Sequence, residues 1–386
     1  MSELAQLVAS RDTIVVVGPG GVGKTTTAAA LAVHAAQTGR KVLVLTVDPA
    51  RRLATSLGLD ELGNAERRVS PAHFARARVP LGSGALYAMM LDTKTTFDAL
   101  VHRHSPTVEA RERILQNRYY QQASTALAGS QEYMAMEKLY ELRDERDYDL
   151  IVLDTPPAVN AVDFFSAPER LMGFLDSGSS RLLLAGARRA GKLGFGLFNS
   201  LLEGVMNRFI GVETFMSLLN FIESFGSMFG GFAARAERVA EMLRAPSTAF
   251  VVVTSTESVA LDEAVSLHAQ LATQGMPFGA LLVNRVREPY LEASDLDGLS
   301  DRLMASAARV PSLHLYEERE LKRATKRVER ACRDYAVLSQ VDGERLVELE
   351  ARLGGDAGQI WTVPLFDRDI HDLENLAAFA DHVVRE

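Results

Sequence analysis

The sequence predicts an α/β protein: a doubly wound, mostly parallel sheet with a helical subdomain inserted between its strands. Three observations predict it. Short β-branched runs, apolar at nearly every position, recur along the chain, as strands buried on both faces require. Stretches with helical apolar spacing separate them, which is the alternation of a doubly wound sheet. A phenylalanine-crowded middle carries no strand-like run.

In chain order, Thr13 to Val17 is the first strand, and the alanine- and leucine-rich stretch Lys24 to Gln37 the first helix. Lys41 to Val47 is the second strand and Ala85 to Leu91 a further candidate. Arg113 to Arg143 is helical, and Asp149 to Leu153 is a buried strand. From about Phe164 to Phe232 the chain changes character: eleven phenylalanines between those limits are joined by Met172, Met206, Met216 and Met228, with glycines between. Ala249 to Thr254 and Ala280 to Val283 resume the sheet around the helix Ser258 to Thr273. The charged stretch Glu317 to Arg352 suits a pair of solvated helices, and Ile360 to Leu365 a last strand. The expected organisation is one domain over residues 1–386, with the helical subdomain inserted at about 92–143 and 163–245.

Bulk properties narrow the function classes. A hydrophobic content of 47 % over 386 residues supports a sizeable core, and a net charge of −8 argues against a nucleic-acid partner. The N-terminus shows no secretory signal, and no apolar run reaches the roughly 18 residues that span a bilayer. A soluble, cytoplasmic protein without an integral membrane span is expected. The single cysteine, Cys332, forms neither an internal disulfide nor a thiolate metal cluster, and suits a buried or half-buried thiol.

Gly18-Pro19-Gly20-Gly21-Val22-Gly23-Lys24-Thr25 fits G-x-x-x-x-G-K-[ST], directly after one strand and opening a helix. Such glycines let backbone N–H groups and a helix N-terminus face phosphates. Lys24 is then placed to neutralise β/γ-phosphate charge, and the Thr25 hydroxyl to coordinate Mg²⁺. The same stretch contains Gly18-x-Gly20-x-x-Gly23, the dinucleotide fingerprint, with Asp48 ending the next strand where a ribose-binding acid would sit. That reading leaves Lys24-Thr25 and the later Asp154 unexplained.

Asp48 in Asp48-Pro49-Ala50 and Asp154 in Asp154-Thr155-Pro156-Pro157 each follow a strand, on the sheet edge that carries the loop. A carboxylate there suits the water shell of Mg²⁺, for Asp154, or the attacking water, for Asp48. An ordinary turn aspartate before proline has the same local sequence; it is the combination with the loop that points to nucleotide chemistry.

Gly20-Gly21-Val22-Gly23-Lys24-Thr25-Thr26, then Thr46-Val47-Asp48-Pro49-Ala50, then Asp154-Thr155-Pro156-Pro157 resembles the arsenical-pump-driving ATPase (ArsA) family of the deviant P-loop, MinD-like class. That family includes cytoplasmic ATPases that target tail-anchored membrane proteins, and the similarity runs over nearly the whole chain. The resemblance implies ATP and Mg²⁺ as cofactors and a dimer that closes on ATP. It implies Gly18 to Thr26 as the phosphate site, Lys24 and Asp48 as catalytic residues, and Asp154 near Mg²⁺. It also implies Asn284, in Leu-Val-Asn-Arg-Val, against adenine, and Pro364, in Val-Pro-Leu-Phe, in the adenine loop.

Two departures stand out. Pro19 occupies the position where the family carries a lysine reaching the partner subunit's phosphates, and proline has neither charge nor donor. Arg51 or Arg52 substitutes for it, or hydrolysis is slow, or a related chain supplies the lysine in a heterodimer. The family's zinc-binding C-x-x-C pair is absent, and one cysteine does not make a three-thiol arsenite site. His102 and His104, without a carboxylate constellation, suit surface residues.

The phenylalanine- and methionine-rich stretch suits either a helical core or dimer interface, or a groove that changes with nucleotide and holds an apolar helix or acyl chain. Its glycines, among them Gly191, Gly194, Gly226 and Gly230, each cost a helix interior roughly 1 kcal/mol relative to alanine, which favours a moving element. The expected function is an ATPase whose nucleotide-driven dimer closure moves this region around a membrane-protein segment or lipid-like client. The alternatives are an energising subunit of an anion or metalloid transporter, or a weakly catalytic partner of a related ATPase.

Overall fold

The computed structural model describes residues 2–47, 52–105, 107–117, 120–121, 130–156, 229–354 and 359–385. Among them, eight strands form one sheet: β1 (Thr13–Val17), β2 (Lys41–Thr46), β3 (Arg67–Arg68), β4 (Ala85–Met90), β5 (Leu150–Asp154), β6 (Thr248–Ser255), β7 (Phe278–Val286) and β8 (Ile360–Pro364). The order across the sheet is β3-β4-β2-β5-β1-β6-β7-β8. Every pairing is parallel except β3 with β4.

The side-chain period of a strand explains why these runs are apolar throughout. On one face Val15, Leu43, Leu45, Ile151, Leu153, Val252 and Leu281 pack beneath the helices Thr93–His104, Ser130–Glu145, Phe229–Arg244 and Ser258–Thr273. On the other, Ile14, Val16, Val42, Val44, Val152, Val251 and Leu282 pack against the helices Glu3–Ser10, Lys24–Gln37 and Leu373–Arg385. Alternate residues of one strand therefore belong to two different cores. Each large side chain so buried contributes about 1.5–3 kcal/mol.

β1 lies mid-sheet, between β5 and β6, while the Lys24–Gln37 helix carries the chain from it past β5 to β2. The loop after β1 thus leaves the carboxyl edge at a topological switch point, where open α/β sheets bind their ligands.

Four differences from the sequence reading are informative. The stretch expected as a pair of helices is one helix, Glu318–Leu353. Gly343 lies within it, but no proline interrupts it. The buried Asp342 pairs with Arg287 and Leu349 and Leu353 enter the sheet core, so tertiary anchoring carries the helix through the glycine. Arg113 to Arg143 is not one unbroken helix: Val108–Leu115 ends before Asn117, and among the described residues Ser130–Glu145 forms the later part, with 118–119 and 122–129 outside them. β3 was not anticipated, because two exposed arginines carry no apolar alternation. His104, expected on the surface, is half-buried, and burial, followed by the nearby Arg235 and Arg103, lowers its pKa.

Most of the phenylalanine-rich stretch, residues 157–228, lies outside the described residues; its end forms the Phe229–Arg244 helix. Arg235 of that helix pairs with Glu137 of the Ser130–Glu145 helix, and Glu137 is 1 % exposed. Among the described residues no helix is long and apolar enough to cross a membrane.

Candidate functional site

The loop after β1 is shaped by its glycines. Gly18 has φ +147°, and a Cβ there would lie 2.0 Å from the Val253 carbonyl oxygen of β6. Only glycine lets the loop pass this close over the neighbouring strand. Gly23 has φ +103° and caps the Lys24–Gln37 helix without a side chain, so the N–H groups of its first turn face the loop. Val22 is buried, Gly20 and Gly21 are exposed, and Thr26 is half-buried.

Lys24 is buried and folded back over the loop, its Nζ donating to the Pro19 carbonyl at 2.8 Å. Asp154, fully buried at the end of β5, receives two hydroxyls on one carboxylate oxygen: Thr25 Oγ1 at 2.7 Å and Thr46 Oγ1 at 2.8 Å. The register explains the convergence, since Asp154 stands beside Val16 of β1 and Thr46 of β2. Thr155 holds the same edge closed, its Oγ1 donating to the Val16 carbonyl at 2.9 Å. A hydroxyl and a carboxylate at the mouth of a phosphate-type loop are hard oxygen donors, and this set fits a Mg²⁺ that keeps several of its waters.

Asp48, with Pro49, Ala50 and Arg51, lies outside the described residues; the preceding Val47 is buried and its N–H donates to the Asp154 carbonyl at 3.2 Å.

Asn284 ends the region of β7 paired with β6 and turns its side chain inward. Its Nδ2 donates to the Val22 carbonyl at 2.8 Å, and its Oδ1 accepts from the Arg285 N–H at 2.9 Å. Arg285 itself has φ +61°, so this bond also holds a backbone conformation that non-glycine residues seldom adopt. Pro364 pairs with Val286 at the end of β8. The two line a cleft of about 190 Å³ with Glu288, Tyr290, Tyr335, Leu365, Phe366 and Asp367. Tyr290 and Tyr335 stack at 4.7 Å between ring centroids, and the Tyr290 hydroxyl donates to Asp367 at 3.2 Å. The Tyr335 hydrogen bond first, then the charges of Tyr335 and Asp367, push the Tyr290 phenol up to about 12, so it remains a donor.

The fold thus gathers Gly18 to Thr26, Asp154 and Asn284 around one loop, with Pro364 at an adjoining cleft on the same sheet edge. Sequence reasoning missed the orienting role of Thr46. Its only signal there was a polar residue closing an otherwise apolar strand.

The sequence profile of the anion-transporting ATPase family matches residues 11–297. The chain belongs to this family. It is 28 % identical over 280 residues to an ATPase ASNA1 homolog of Cryptosporidium parvum (strain Iowa II), covering 72 % of this chain and 65 % of that one. It is 33 % identical over 160 residues to an uncharacterized protein of Streptomyces coelicolor, covering 41 % and 37 %. With the ATPase get3 of Aspergillus terreus it shares 26 % identity over 294 residues, 75 % and 77 % of the two chains. The chain therefore spans less than two thirds of the first two relatives and more of the third.

Proposed function

We propose that this protein binds and hydrolyses MgATP, and that hydrolysis drives a change of shape in its hydrophobic helical region. The observation that carries the reading is the pair of hydroxyls converging on Asp154 beside the glycine loop, one of them from the residue after Lys24. In this reading Lys24 exchanges the Pro19 carbonyl for β/γ-phosphate oxygens, a neutral acceptor for a charged one, and that exchange favours the bound state. Thr25 and Asp154 would hold Mg²⁺ and its water shell, with Thr46 fixing the carboxylate. When bound, Mg²⁺ neutralises charge on the phosphate oxygens. Asp48 orients the attacking water, and the cleft beside Pro364 takes the adenine. The family resemblance supports closure of a dimer on ATP, and the Phe- and Met-rich stretch supports a membrane-protein segment or lipid-like client.

Pro19 favours a second reading. Its ring supplies no cation to a partner subunit's phosphates, and its carbonyl is occupied by Lys24. A related chain in a heterodimer would then supply the lysine, with this chain the weaker catalyst. An energising role for a transporter remains the third reading, without a three-thiol metalloid site in one chain.

The test is ATP binding and turnover by the purified chain. Lys24→Ala should abolish tight phosphate binding, while Asp48→Asn should keep binding and stop turnover. Normal turnover in the Asp48→Asn protein would refute the role given to Asp48. Tight MgATP binding without turnover in the unaltered chain, restored by a lysine-bearing relative, would select the heterodimer. For the client, an apolar peptide should bind more tightly in one nucleotide state, and equal affinity in all states would sink that part.

A further inference from the structure

The Glu318–Leu353 helix carries charge in a way the nucleotide site does not use. From Arg319 to Arg333 it holds seven Lys and Arg residues against two Glu, a net charge of +5 in a chain whose total is −8. Arg319, Lys322, Arg323, Lys326 and Arg330 recur every three or four residues, so they share one helix face. All are exposed, and Arg319, Lys322, Arg323 and Lys326 enter none of the ion pairs found among the described residues. Thr325, on the flank of this face three residues from Lys322, is buried against Ser300 of the Leu299–Ala307 helix, so the helix rests on the body along one flank and leaves the cations exposed.

Most nearby acids are engaged. Glu317 and Glu320 form the capping box that starts the helix, Glu329 accepts from the Ser300 N–H and Arg333, and Asp334 pairs with Arg330. Glu318 stands exposed in the first turn. Just before the helix, the turn Pro311–Leu315 and the residue after it present two exposed apolar side chains: Leu315 is 88 % exposed and Tyr316 58 %. Lys326 lies about 12 Å along the axis from the helix start, so the cations follow the apolar tip within a little over two turns.

We propose that this end of the helix docks on an anionic lipid surface, with Leu315 and Tyr316 entering the interface and Arg319, Lys322, Arg323 and Lys326 over the headgroups. Clustered cations beside an exposed aliphatic and an aromatic side chain are the combination a lipid interface rewards. A nucleic-acid backbone would use the cations but leave Leu315 without a role.

The test is co-flotation of the full chain with phosphatidylcholine vesicles, with and without phosphatidylglycerol. The protein should float only with the anionic vesicles. Each cation near the surface contributes about 1 kcal/mol, roughly fivefold, so Arg319→Gln, Lys322→Gln, Arg323→Gln and Lys326→Gln together should weaken binding several hundredfold. Leu315→Ser with Tyr316→Ser should weaken it about tenfold or more. All six side chains are solvent-facing, and unchanged circular dichroism and ATP turnover would show that the variants fold. Equal flotation with both vesicle types, no flotation, or insensitivity to either set of substitutions would overturn the proposal. So would displacement by an oligonucleotide combined with indifference to the Leu315/Tyr316 change, which would assign the face to nucleic acid.

Discussion

Asn284→Ala separates two roles for one side chain. The family resemblance places Asn284 against adenine, whereas its amide is spent on backbone, donating to the glycine loop's Val22 carbonyl and accepting from the neighbouring Arg285 N–H of β7. Asn284 is 6 % exposed, so truncation leaves the Val22 carbonyl without this donor in a buried place, at a cost of about 2 kcal/mol. Unfolding 386 residues at about 2.1 cal/mol/K each gives an unfolding entropy of ~0.8 kcal/mol/K, so the melting temperature should fall by roughly 2–3 °C. A loop no longer held in place must be ordered by the ligand. Losing about 1.4 kcal/mol there means about tenfold weaker phosphate binding. The assay is calorimetric titration with ATP and with inorganic triphosphate, alongside thermal melts. Both ligands should weaken by the same factor, and Asn284→Asp should be worse than alanine, since it sets a carboxylate against a carbonyl. Weaker ATP binding with unchanged triphosphate affinity and unchanged melting would refute the reasoning and return Asn284 to adenine.

Three further outcomes are expected. Gly18→Ala places a methyl 2.0 Å from the Val253 carbonyl oxygen at φ +147°, so beyond about 1–3 kcal/mol of backbone strain the loop must shift, and equilibrium unfolding with nucleotide titration should show both losses. Thr46→Val keeps the shape of a fully buried side chain but removes one donor to Asp154, so a Mg²⁺ titration of turnover should shift about 10–100-fold to higher Mg²⁺. Arg235→Met strands the buried Glu137 carboxyl, at a cost of about 3–5 kcal/mol in urea unfolding near neutral pH. Burial, its largest influence, already raises the Glu137 pKa even with Arg235 present. In the variant the folded pKa lies higher still, so the deficit should shrink as pH falls towards the ordinary carboxyl value and widen as pH rises through the folded one; a pH-independent deficit would show that Glu137 does not take up the proton.

Much of the molecule was legible in the residues. The strand runs were visible because burial on both faces removes polar positions, leaving strings such as Val42 to Leu45 that no exposed segment needs. The loop was visible because phosphate chemistry demands glycines and a lysine at contiguous positions, and Asp154 because it closes an apolar strand. Other features left weaker traces. Thr46 resembles any strand-end threonine until β2 and β5 are in register, and Glu137 reads as one more charge on a helix until Arg235 arrives from a segment about a hundred residues away.

By itself, the sequence determined the fold class and marked the glycine loop and the strand-end aspartates Asp48 and Asp154 as candidates, because each rests on local periodicity or contiguous spacing. Tertiary structure alone decided that Asn284 braces the loop, that Thr25 and Thr46 share one carboxylate oxygen, and that the segment after Glu317 is one helix with its cations facing outward. The physical reason is the same in each case. These features depend on which strands become neighbours and which helix face is covered, and both are fixed by packing between residues far apart in the chain.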